Sequence, residues 1–435
     1  MPDFNSTPAD LSGWLSYLEQ LHPKSIALGL DRVSRVRDTL ALRPDFPVIT
    51  IAGTNGKGST CAMLERIYAE AGYRVACYTS PHLLHYNERV RINGIAASDD
   101  ELCAAFAAVE SARQQTALTY FEFGTLAAMW HFIEARVDVA ILEVGLGGRL
   151  DAVNIFDPAC AVVTSIDLDH MEYLGNSRAS IGREKAGIYR AGVPALCGDP
   201  DPPETLPEYA REIRADYRQV GWQFDFTRRN GSWDFDSADL HLEGLPLPAL
   251  NGSFQLYNAA CVMEVVNCLG ARLPVPQQAM HDGLQRVRLA GRFQVSGSGP
   301  SIILDVAHNP QAAQGLAENL RRMPVSGKTV GVCGMLADKD MTGVMRILLG
   351  VVDDWYVAGI RQPRGADTAA LLACLHAVAP DARVQGFDDV VSAFRQACLG
   401  VGENDRIVVF GSFYTVADVM RVLPETLGDA WQPIR

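Results

Sequence analysis

The stretch "ITIAGTNGKGST" (Ile49–Thr60) runs from an apolar strand through three glycines to a lysine and two hydroxyl residues. Glycines allow successive backbone N–H groups to turn inward around a phosphate, and a helix that follows points its positive end at the same place. Lys57 would add a point charge for the outer phosphates, and Ser59 a hydroxyl for Mg²⁺. The stretch therefore predicts a strand, a phosphate-binding loop and a helix, with a nucleoside triphosphate as the ligand.

This loop departs from the common GxxxxGK[ST] pattern of phosphate-binding loops. Two residues, not four, separate Gly53 from Gly56, and Gly58 stands between Lys57 and Ser59. A glycine-rich turn from strand to helix, without a ligand, is the alternative interpretation. The lysine between two glycines, directly after an apolar strand, favours the phosphate-binding interpretation.

Further apolar strands alternate with helices along the first half of the chain. "RVACYTSPHL", "VDVAILEVG" and "ACAVVTSID" contain such strands, and "STCAMLERIYAEAG" and "LAAMWHFIEA" have the spacing of helices. Continuous apolar strands separated by helices are typical of a parallel sheet covered on both faces. Residues 8–40 are also predicted to be helical, with Leu11, Trp14, Leu15 and Leu18 on one face.

The pattern changes after Pro200. The alternating stretch "FDFTRRNGSWDFD" predicts a β-hairpin around Asn230 and Gly231, which we interpret as an antiparallel annex to the first domain. The small-residue stretch "VSGSGPS" (295–301) is interpreted as a hinge, after which strands and helices alternate again. The predicted fold class is α/β: a P-loop parallel-sheet ATPase domain with a small antiparallel annex (residues 1–296) and a smaller, Rossmann-like α/β C-terminal domain (residues 297–435).

The composition limits the partners of the protein. Its 435 residues carry a formal net charge of −13, which argues against general binding to nucleic acid or to anionic membranes. Ten cysteines are scattered without a CxxC pair, as expected for free thiols in a reducing compartment. No basic and apolar leader begins the chain, and no apolar run reaches the roughly 18 residues that span a bilayer. We expect a soluble, cytoplasmic monomer that binds small molecules.

Other polar side chains follow predicted strands or interrupt helices. Glu143 ends the strand in "DVAILEVGLGG", where a carboxylate can bind Mg²⁺; a pair with an arginine is the alternative. His170 follows another strand beside two aspartates, although a lone histidine is more often structural. For Lys185, in "REKAGIYR", composition alone favours a salt bridge on a helix surface. Asp305 and His308 follow a strand in the predicted second domain.

Eight short stretches occur in one order along most of the chain, from about residue 20 to residue 425. Together they resemble the folylpolyglutamate synthase family of the Mur-ligase superfamily. They are "GTNGKGST" (53–60), "TSPHL" (79–83), "YFEFGT" (120–125), "ILEVGLGGRLDAVN" (141–154), "TSIDLDHMEYLG" (164–175), "REKAGI" (183–188), "GR" (291–292) and "DVAHNP" (305–310).

The resemblance implies an ATP-dependent ligase that joins L-glutamate to dihydropteroate and adds further glutamates to reduced folates. The γ-phosphate of ATP would pass to a substrate carboxylate, and the amine of glutamate would attack the resulting acyl phosphate. Phosphoryl transfer depends on positioning and charge neutralisation, which a P-loop and two Mg²⁺ ions supply. The resemblance also implies a monovalent cation.

The same resemblance assigns roles to individual residues. The nucleotide contacts are Asn55, Gly56, Lys57, Gly58, Ser59, Asn258, Arg292 and Asp305. The magnesium ligands are Ser80, Glu143 and His170, and the catalytic residues are Lys57, His170 and Lys185. The dihydropteroate contacts are Thr119, Tyr120, Phe121, Glu122, Leu150 and Ala152, and the glutamate contacts are His308 and Ser412.

Lys185 has two competing interpretations. It matches a lysine that is carbamylated in the family and that thereby becomes an anion able to hold the second Mg²⁺. A carbamate forms from a neutral amine and CO₂, and burial can supply a neutral amine by lowering the pKa of a lysine. The resemblance therefore implies a buried, carbamylated Lys185, whereas composition favours an exposed ion pair.

Two alternatives to the complete activity stay open. An enzyme with only the folylpolyglutamate activity would share most of these stretches, and "YFEFGT" favours both activities by resemblance only. A nucleotide-gated binding or switch module would share the P-loop but would have no use for Lys185 or for a glutamate pocket.

Overall fold

The computed structural model describes residues 8–24, 26–297 and 299–427 of the chain. The described chain divides into two compact units. The first unit takes the chain through Pro248 and again over Leu256–Val287, and the second takes Ala249–Gln255 and the chain from Arg288 onward. Each unit contains its own mixed α/β sheet, which confirms the predicted fold class.

The described residues of the first unit form an eight-stranded sheet. Its strands are β1 (Val48–Ala52), β2 (Val75–Tyr78), β3 (Val90–Ile92), β4 (Ile95–Ala96), β5 (Val139–Glu143), β6 (Cys160–Val163), β7 (Pro194–Cys197) and β8 (Asp216–Gln219). The order is β4-β3-β2-β5-β1-β6-β7-β8. The strands from β2 to β8 in this order run parallel, and β3 and β4 extend the sheet in antiparallel pairs.

The helices that the structure describes in this unit precede, connect and follow these strands. They are α1 (Leu11–Leu21), α2 (Asp31–Thr39), α3 (Lys57–Glu70), α4 (Asp99–Arg113), α5 (Tyr120–Glu134), α6 (Met171–Leu174), α7 (Arg178–Ala186), α8 (Thr205–Glu212), α9 (Gln255–Leu269) and α10 (Gln277–Arg286). The central strands β1, β5 and β6 are buried along their whole length. Their apolar sequences fit such a position because a parallel sheet is covered on both faces.

The prediction of one helical region over residues 8–40 is wrong in its middle. Helix α1 ends at Leu21 and α2 begins at Asp31, and the described residues between them are not helical. Pro23 lacks the N–H that a continuing helix needs, and Gly29 has a φ of +140°. The predicted apolar face of the first helix is confirmed by the burial of Leu11, Trp14 and Leu18, with Leu15 packed against the same core.

The predicted annex is a three-stranded antiparallel sheet within the first unit. Its strands are β9 (Phe224–Arg228), β10 (Ser232–Ser237) and β11 (His241–Pro246), in the order β11-β10-β9. The predicted hairpin joins β9 and β10, with Gly231 at a φ of +85° in the turn. Strand β11 was not predicted, because Gly244 interrupts its alternation of side chains and its pairing with β10 shifts register.

The described residues of the second unit form a six-stranded sheet. Its strands are β12 (Gln294–Ser296), β13 (Ser301–Leu304), β14 (Thr329–Cys333), β15 (Asp354–Ala358), β16 (Arg383–Phe387) and β17 (Arg406–Phe410), in the order β12-β13-β17-β14-β15-β16. Its helices are α11 (Pro310–Arg322), α12 (Met341–Leu348), α13 (Thr368–Val378), α14 (Val390–Leu399) and α15 (Phe413–Leu427). Among the described strands of this sheet, only β12 pairs antiparallel, at the edge.

The hinge predicted at residues 295–301 is wrong. Both of its ends belong to strands, since β12 extends to residue 296 and pairs with β13, which begins at Ser301. Ser298, between them, lies outside the described residues. Backbone hydrogen bonds therefore fix both ends of the stretch inside the second unit, and the chain passes between the units at other places.

The cysteines and helices agree with the expectations from composition. All ten cysteines are free, as predicted. Among the helices that the structure describes, none is both long enough and apolar enough to cross a bilayer.

One ion pair in the first unit should contribute strongly to stability. Arg218 Nη1 on β8 lies 2.5 Å from Oε1 of Glu264, whose side chain is 0% exposed. Removing the arginine leaves a buried charge without its partner, which costs on the order of 3 kcal/mol. We expect Arg218→Met to lower the midpoint of thermal unfolding by roughly 5 °C.

The matched control is Arg229→Met. Arg229 is 61% exposed and pairs with Asp234 on the annex. Surface pairs contribute at most about 1 kcal/mol, so this variant should unfold within about 2 °C of the wild type. Equal shifts in the two variants, measured by calorimetry, would contradict the stabilising role of the Arg218–Glu264 pair.

Candidate active site

The loop that follows β1 has the conformation that its glycines predict. Gly53 and Gly56 have φ values of +150° and +91°, which other residues rarely adopt. A Cβ at Gly53 would lie 1.9 Å from Thr164 Oγ1, and one at Gly56 would lie 2.5 Å from Asn258 Oδ1. Both positions therefore require glycine, for the backbone conformation and for the close approach of neighbouring segments.

The segment that follows β6 holds this loop from one side. The N–H groups of Thr54 and Asn55 donate to the carbonyl oxygen and the hydroxyl of Ser165, at 2.7 and 3.1 Å. Thr164 Oγ1 donates to the carbonyl oxygen of Asn55 at 2.6 Å. The Thr54 hydroxyl bonds both the N–H and the carbonyl oxygen of Asp167. The stretch "TSID" thus fixes the loop backbone, a role that its sequence did not reveal.

Lys57 is the first residue of α3, so the lysine and the helix N-terminus lie together. Its Nζ donates to the carbonyl oxygens of Gly53 (2.9 Å) and Thr54 (3.4 Å). Gly58 and Ser59 follow in the first turn, where the positive end of the helix dipole attracts anions. The loop, the lysine and the helix N-terminus combine into a candidate phosphate site.

Two predicted metal ligands are in contact at the same edge of the sheet. Glu143 ends β5 and pairs in register with Ile51 of β1, the strand that leads into the loop. Ser80 follows β2, on the other side of β5, and its N–H donates to Glu143 Oε2 at 3.1 Å. Glu143 is buried. The carboxyl ends of three neighbouring strands therefore bring Ser80, Glu143 and the glycine-rich loop to one edge.

His170 occupies an unusual backbone conformation after β6. Its φ is +50°, in the left-handed region that is uncommon for residues other than glycine, and strained residues of this kind cluster at functional sites. Its Nε2 lies 4.0 Å from Asp169 Oδ2, and 30% of the side chain is exposed. Among the residues that the structure describes, no three His, Cys, Asp or Glu side chains are grouped to hold a metal ion. A metal bound here would need further oxygen ligands, such as a hydroxyl or a phosphate.

Lys185 is buried, so the surface position that composition favours is wrong. Only 4% of the residue is exposed. Burial and, to a lesser extent, the charge of Lys57 lower the pKa of Lys185 to about 7, although Asp169 acts in the opposite direction. Both burial and the charge of Lys57 thus favour the uncharged form of this amine. The ion pairs at the surface belong instead to its neighbours, Arg183 with Glu212 and Glu184 with Arg149.

The stretch "GLGGRLDA" fastens the helix that carries Lys185. The N–H of Arg149 donates to the carbonyl oxygen of Glu184 at 2.8 Å. A Cβ at Gly148 would lie 2.9 Å from the carbonyl oxygen of Lys185, so glycine allows the two segments to touch. Two stretches that are distant in sequence, 141–154 and 183–188, thus meet around the buried lysine.

The buried side chain of Asp151 bonds to the backbone of the same stretch. Its carboxylate accepts the N–H groups of Leu146 (2.8 Å) and Val153 (3.1 Å). Burial raises the pKa of Asp151 to about 7, against the lowering effect of these N–H groups. Asp151 was not among the predicted residues, although it lies between two of them. Those two are Leu150, which is half-buried, and Ala152, which is buried.

A capping motif begins α5. Thr119 Oγ1 accepts the N–H of Glu122 at 3.2 Å, and Glu122 Oε2 accepts the N–H of Thr119 at 2.7 Å. Glu122 is buried and also pairs with Arg32, whose Nη2 lies 2.9 Å from Oε1. Arg32 was missed by the sequence analysis, because the pair joins residues 90 positions apart.

The two aromatic residues of this motif are half-buried. The Phe121 ring lies 5.8 Å from the Tyr78 ring and covers Gly145, where a Cβ would be 2.7 Å from Phe121 Cζ. The Tyr120 ring lies 5.6 Å from the guanidinium of Arg89. The predicted dihydropteroate contacts at 119–122 thus divide into two capping residues and two rings.

Asn258 is a predicted nucleotide contact in the first unit. It lies on α9 and not at the edge of the sheet. It is buried, and its side chain contacts Gly56 so closely that a Cβ there would not fit. The structure therefore brings Asn258 to the glycine-rich loop, as a nucleotide contact would require.

In the second unit, Arg292 and Asp305 lie near β12 and β13. The Asp305 carboxylate accepts the N–H groups of Phe293 (2.9 Å) and Ala307 (2.8 Å). Burial raises the pKa of Asp305, and the charge of Arg292 opposes this rise. The guanidinium of Arg292 lies 5.1 Å from the centroid of the Phe413 ring.

The two predicted glutamate contacts differ in their surroundings. The His308 ring lies 6.5 Å from the Phe413 ring, and its Nδ1 is 2.8 Å from the carbonyl oxygen of Val306. Ser412 is buried, and its hydroxyl accepts the N–H of Thr415 at 2.9 Å at the start of α15. The Ser412 hydroxyl therefore already has a structural partner as a helix cap.

The chain matches two protein families. Residues 51–195 match the Mur ligase middle domain, and residues 291–413 match the Mur ligase, glutamate ligase domain. A relative from Escherichia coli (strain K12), the dihydrofolate synthase/folylpolyglutamate synthase, is 47% identical over 414 residues, which are 95% of each chain.

Two solved structures are also similar to this chain. One is E. coli FolC in complex with DHPP and ADP, which is 45% identical with a TM-score of 0.92 over 97% of this chain and 99% of that one. The other is a bifunctional folylpolyglutamate synthase/dihydrofolate synthase with Mn, AMPPNP and L-glutamate bound, 45% identical with a TM-score of 0.89 over 96% of this chain and 100% of that one. Because this similarity extends over nearly the whole chain, the protein belongs to the dihydrofolate synthase/folylpolyglutamate synthase family of the Mur ligases.

Proposed function

We propose that the protein is an ATP-dependent, amide-forming ligase that joins L-glutamate to dihydropteroate, giving dihydrofolate, and adds further glutamates to reduced folates. The related proteins of known structure bind ADP with DHPP, or Mn with AMPPNP and L-glutamate. The observation that carries the proposal is the burial of Lys185 within electrostatic reach of Lys57. A nucleotide-gated switch would need the phosphate loop but would have no use for a buried lysine near it.

The proposed reaction has two steps. The substrate carboxylate attacks the γ-phosphorus of ATP, so ADP leaves and an acyl phosphate forms. The unprotonated amine of glutamate then attacks the acyl carbon, and phosphate leaves. Lys57 and the N-terminus of α3 would stabilise negative charge on the phosphates during the first step. The site must exclude water, because water would hydrolyse the acyl phosphate.

Ser80, Glu143 and His170 are proposed to hold Mg²⁺. The contact of Ser80 with the buried Glu143 supports this assignment, since Mg²⁺ prefers oxygen ligands and uses few carboxylates. Too few acidic or histidine side chains are grouped among the described residues to complete a metal shell, which fits an ion that shares the phosphate oxygens of a nucleotide. When bound, the ion would neutralise charge on the transferred phosphate.

Lys185 is proposed to be carbamylated and to contribute to a second Mg²⁺ site. Its burial and its pKa of about 7 support a neutral amine, which is the form that reacts with CO₂. The carbamate would replace the ammonium with an anionic oxygen group, which is the kind of ligand that Mg²⁺ prefers. A monovalent cation is proposed to accompany the two Mg²⁺ ions, by resemblance to the family.

The remaining residues are proposed as substrate contacts. The half-buried rings of Tyr120 and Phe121 offer flat apolar surfaces for a pterin, and Asn258 adjoins the phosphate loop. Of the two glutamate candidates, His308 is favoured over Ser412, whose hydroxyl already caps a helix. The proposed dihydropteroate contacts are Thr119, Tyr120, Phe121, Glu122, Leu150 and Ala152; the proposed nucleotide contacts are Asn55, Gly56, Lys57, Gly58, Ser59, Asn258, Arg292 and Asp305.

The proposal also covers the roles of the two domains, the oligomeric state and the cellular location. The N-terminal part of the chain, expected over residues 1–296, would bind ATP, and the C-terminal part, expected over 297–435, would be the glutamate-ligase domain. Residues 288–296 belong to the second unit and would therefore be part of the C-terminal domain. The protein is proposed to act as a cytoplasmic monomer on small molecules, without nucleic acid or membrane partners.

The function predicts which substrates release phosphate. With ATP and Mg²⁺, phosphate should appear only when dihydropteroate and L-glutamate are both present, because the amine attack that frees phosphate needs both. The same assay with a reduced folate in place of dihydropteroate tests the second activity. Full-rate ATP hydrolysis without either substrate would contradict the ligase. Activity with the reduced folate but not with dihydropteroate, each supplied with ATP and L-glutamate, would restrict the function to folylpolyglutamate synthesis.

Substitutions at Lys185 separate a carbamate from a cation. We expect Lys185→Ala to lose activity by about 100-fold, because a metal ligand is removed, and added bicarbonate or small carboxylates to restore part of it. Lys185→Arg should not be active, since a guanidinium stays positive and does not take up CO₂.

The control for these variants is Lys24→Ala, at an exposed lysine of the same unit, which should turn over like the wild type. An active Lys185→Arg enzyme would show that the residue serves as a cation. A Lys185→Ala enzyme with wild-type turnover would remove Lys185 from the mechanism.

A further inference from the structure

The guanidinium of one half-buried arginine bonds to several neighbouring segments. Arg91, on β3, has a side chain that is 16% exposed, and it faces Glu65 of α3, which is 7% exposed. Its Nη2 and Nε lie 2.8 and 3.2 Å from Glu65 Oε2. Its Nη1 donates to Thr79 Oγ1 (2.9 Å) and to the carbonyl oxygen of Glu88 (2.5 Å), and Nη2 also approaches Cys77 Sγ at 3.2 Å.

Through Glu65, Arg91 is connected to the phosphate loop. Helix α3 begins at Lys57, and Glu65 lies roughly two turns further along it. Glu65 also accepts the N–H of Gly94 at 2.9 Å, in the turn after β3. The helix that carries the phosphate-binding lysine is therefore bonded to the edge of the sheet at this point.

Through Thr79 and Glu88, Arg91 is connected to the proposed metal ligands. Thr79 directly precedes Ser80, whose N–H donates to Glu143. The Glu88 carboxylate shapes the loop that follows Ser80. It accepts three successive N–H groups, those of Leu83, Leu84 and His85, each at 2.7 Å.

The chemistry of this link is specific to arginine. A guanidinium offers five N–H donors in one fixed plane, and here they point to a carboxylate, a hydroxyl and a carbonyl oxygen of different segments. A lysine could keep the ion pair with Glu65, but its single ammonium could not hold the same geometry towards Thr79 and Glu88.

We propose that Arg91 is a positioning residue that holds Ser80 and Glu143 in register with Lys57 and the phosphate loop. The inference rests on the proposed function, because it takes Ser80 and Glu143 as metal ligands. The bonds of Arg91 go to Glu65, Thr79 and Glu88. It acts by joining the helix that carries the phosphate site to the segment that carries the metal ligands.

The test is the affinity for Mn²⁺ in the presence of ADP, measured by electron paramagnetic resonance on the complete chain without turnover. Arg91→Lys keeps the charge opposite Glu65 and loses the bonds to Thr79 and Glu88. Residues that orient metal ligands typically contribute 10–100-fold to metal affinity, so we expect binding to weaken by about 10-fold. Thr79→Val removes only the bond to Nη1 and should weaken binding by a smaller factor.

Arg66→Lys is the matched control, because Arg66 is exposed on the same helix and should bind Mn²⁺ like the wild type. Thermal unfolding of each variant separates positioning from stability. Wild-type Mn²⁺ affinity in a folded Arg91→Lys protein, with only a lower unfolding midpoint, would overturn the proposal. If that variant does not fold, unchanged affinity in Thr79→Val would overturn it. A wild type that fails to bind Mn²⁺ with ADP would contradict the proposed function and this inference with it.

Discussion

The bonding between the glycine-rich loop and the segment after β6 is the constraint on which the rest of the site depends. Strands β1 and β6 are neighbours, so the two segments leave the sheet at the same edge. Gly53 approaches Thr164 so closely that no side chain would fit, and the backbone of Asn55 is held at both its N–H and its carbonyl oxygen. Contacts within the protein therefore hold the shape of the loop, and N–H groups that are fixed in place stabilise charge effectively.

The second requirement of the site is electrostatic. Two lysines, Lys57 and Lys185, lie close enough for their charges to interact, and Lys185 is also buried. Burial and like charge both disfavour its cationic form, so the fold raises the energy of an ammonium at this position. The neighbouring Arg183 and Glu184 form ion pairs at the surface, so the same helix has positions where a charge costs little free energy. The burial of Lys185 supports the proposal that its amine reacts in the uncharged form.

The sequence predicts well those features that local patterns determine. The strand, loop and helix around Lys57 follow from glycine placement and apolar periodicity, and the hairpin at Gly231 follows from turn chemistry. The break before α2 and the wrongly predicted hinge show what local sequence patterns fail to predict. Small polar residues suit a hinge and a tight connection between paired strands equally well, and only the pairing of β12 with β13 decides between them.

The parts of the site that sequence reasoning missed depend on contacts between distant residues. Arg32 reaches Glu122, and Arg91 reaches Glu65, across 90 and 26 positions, and neither arginine belongs to a local pattern that would indicate its partner. The burial of Lys185 is similar, because the residues beside it are charged and segments distant in sequence, such as that around Gly148, cover the helix. Composition therefore favoured the wrong environment, and only the family resemblance pointed to a buried lysine.

The central claim is that the γ-phosphate of ATP is first transferred to the substrate carboxylate and is then released as inorganic phosphate. Dihydropteroate labelled with ¹⁸O in its carboxylate tests this directly, with the released phosphate analysed by mass spectrometry after a single turnover with ATP and L-glutamate. The account predicts one ¹⁸O atom in each phosphate released, because the carboxylate oxygen that attacks phosphorus leaves with it when the amine displaces the phosphate. Phosphate without ¹⁸O, formed while the amide product accumulates, would contradict the acyl phosphate and the mechanism built on it.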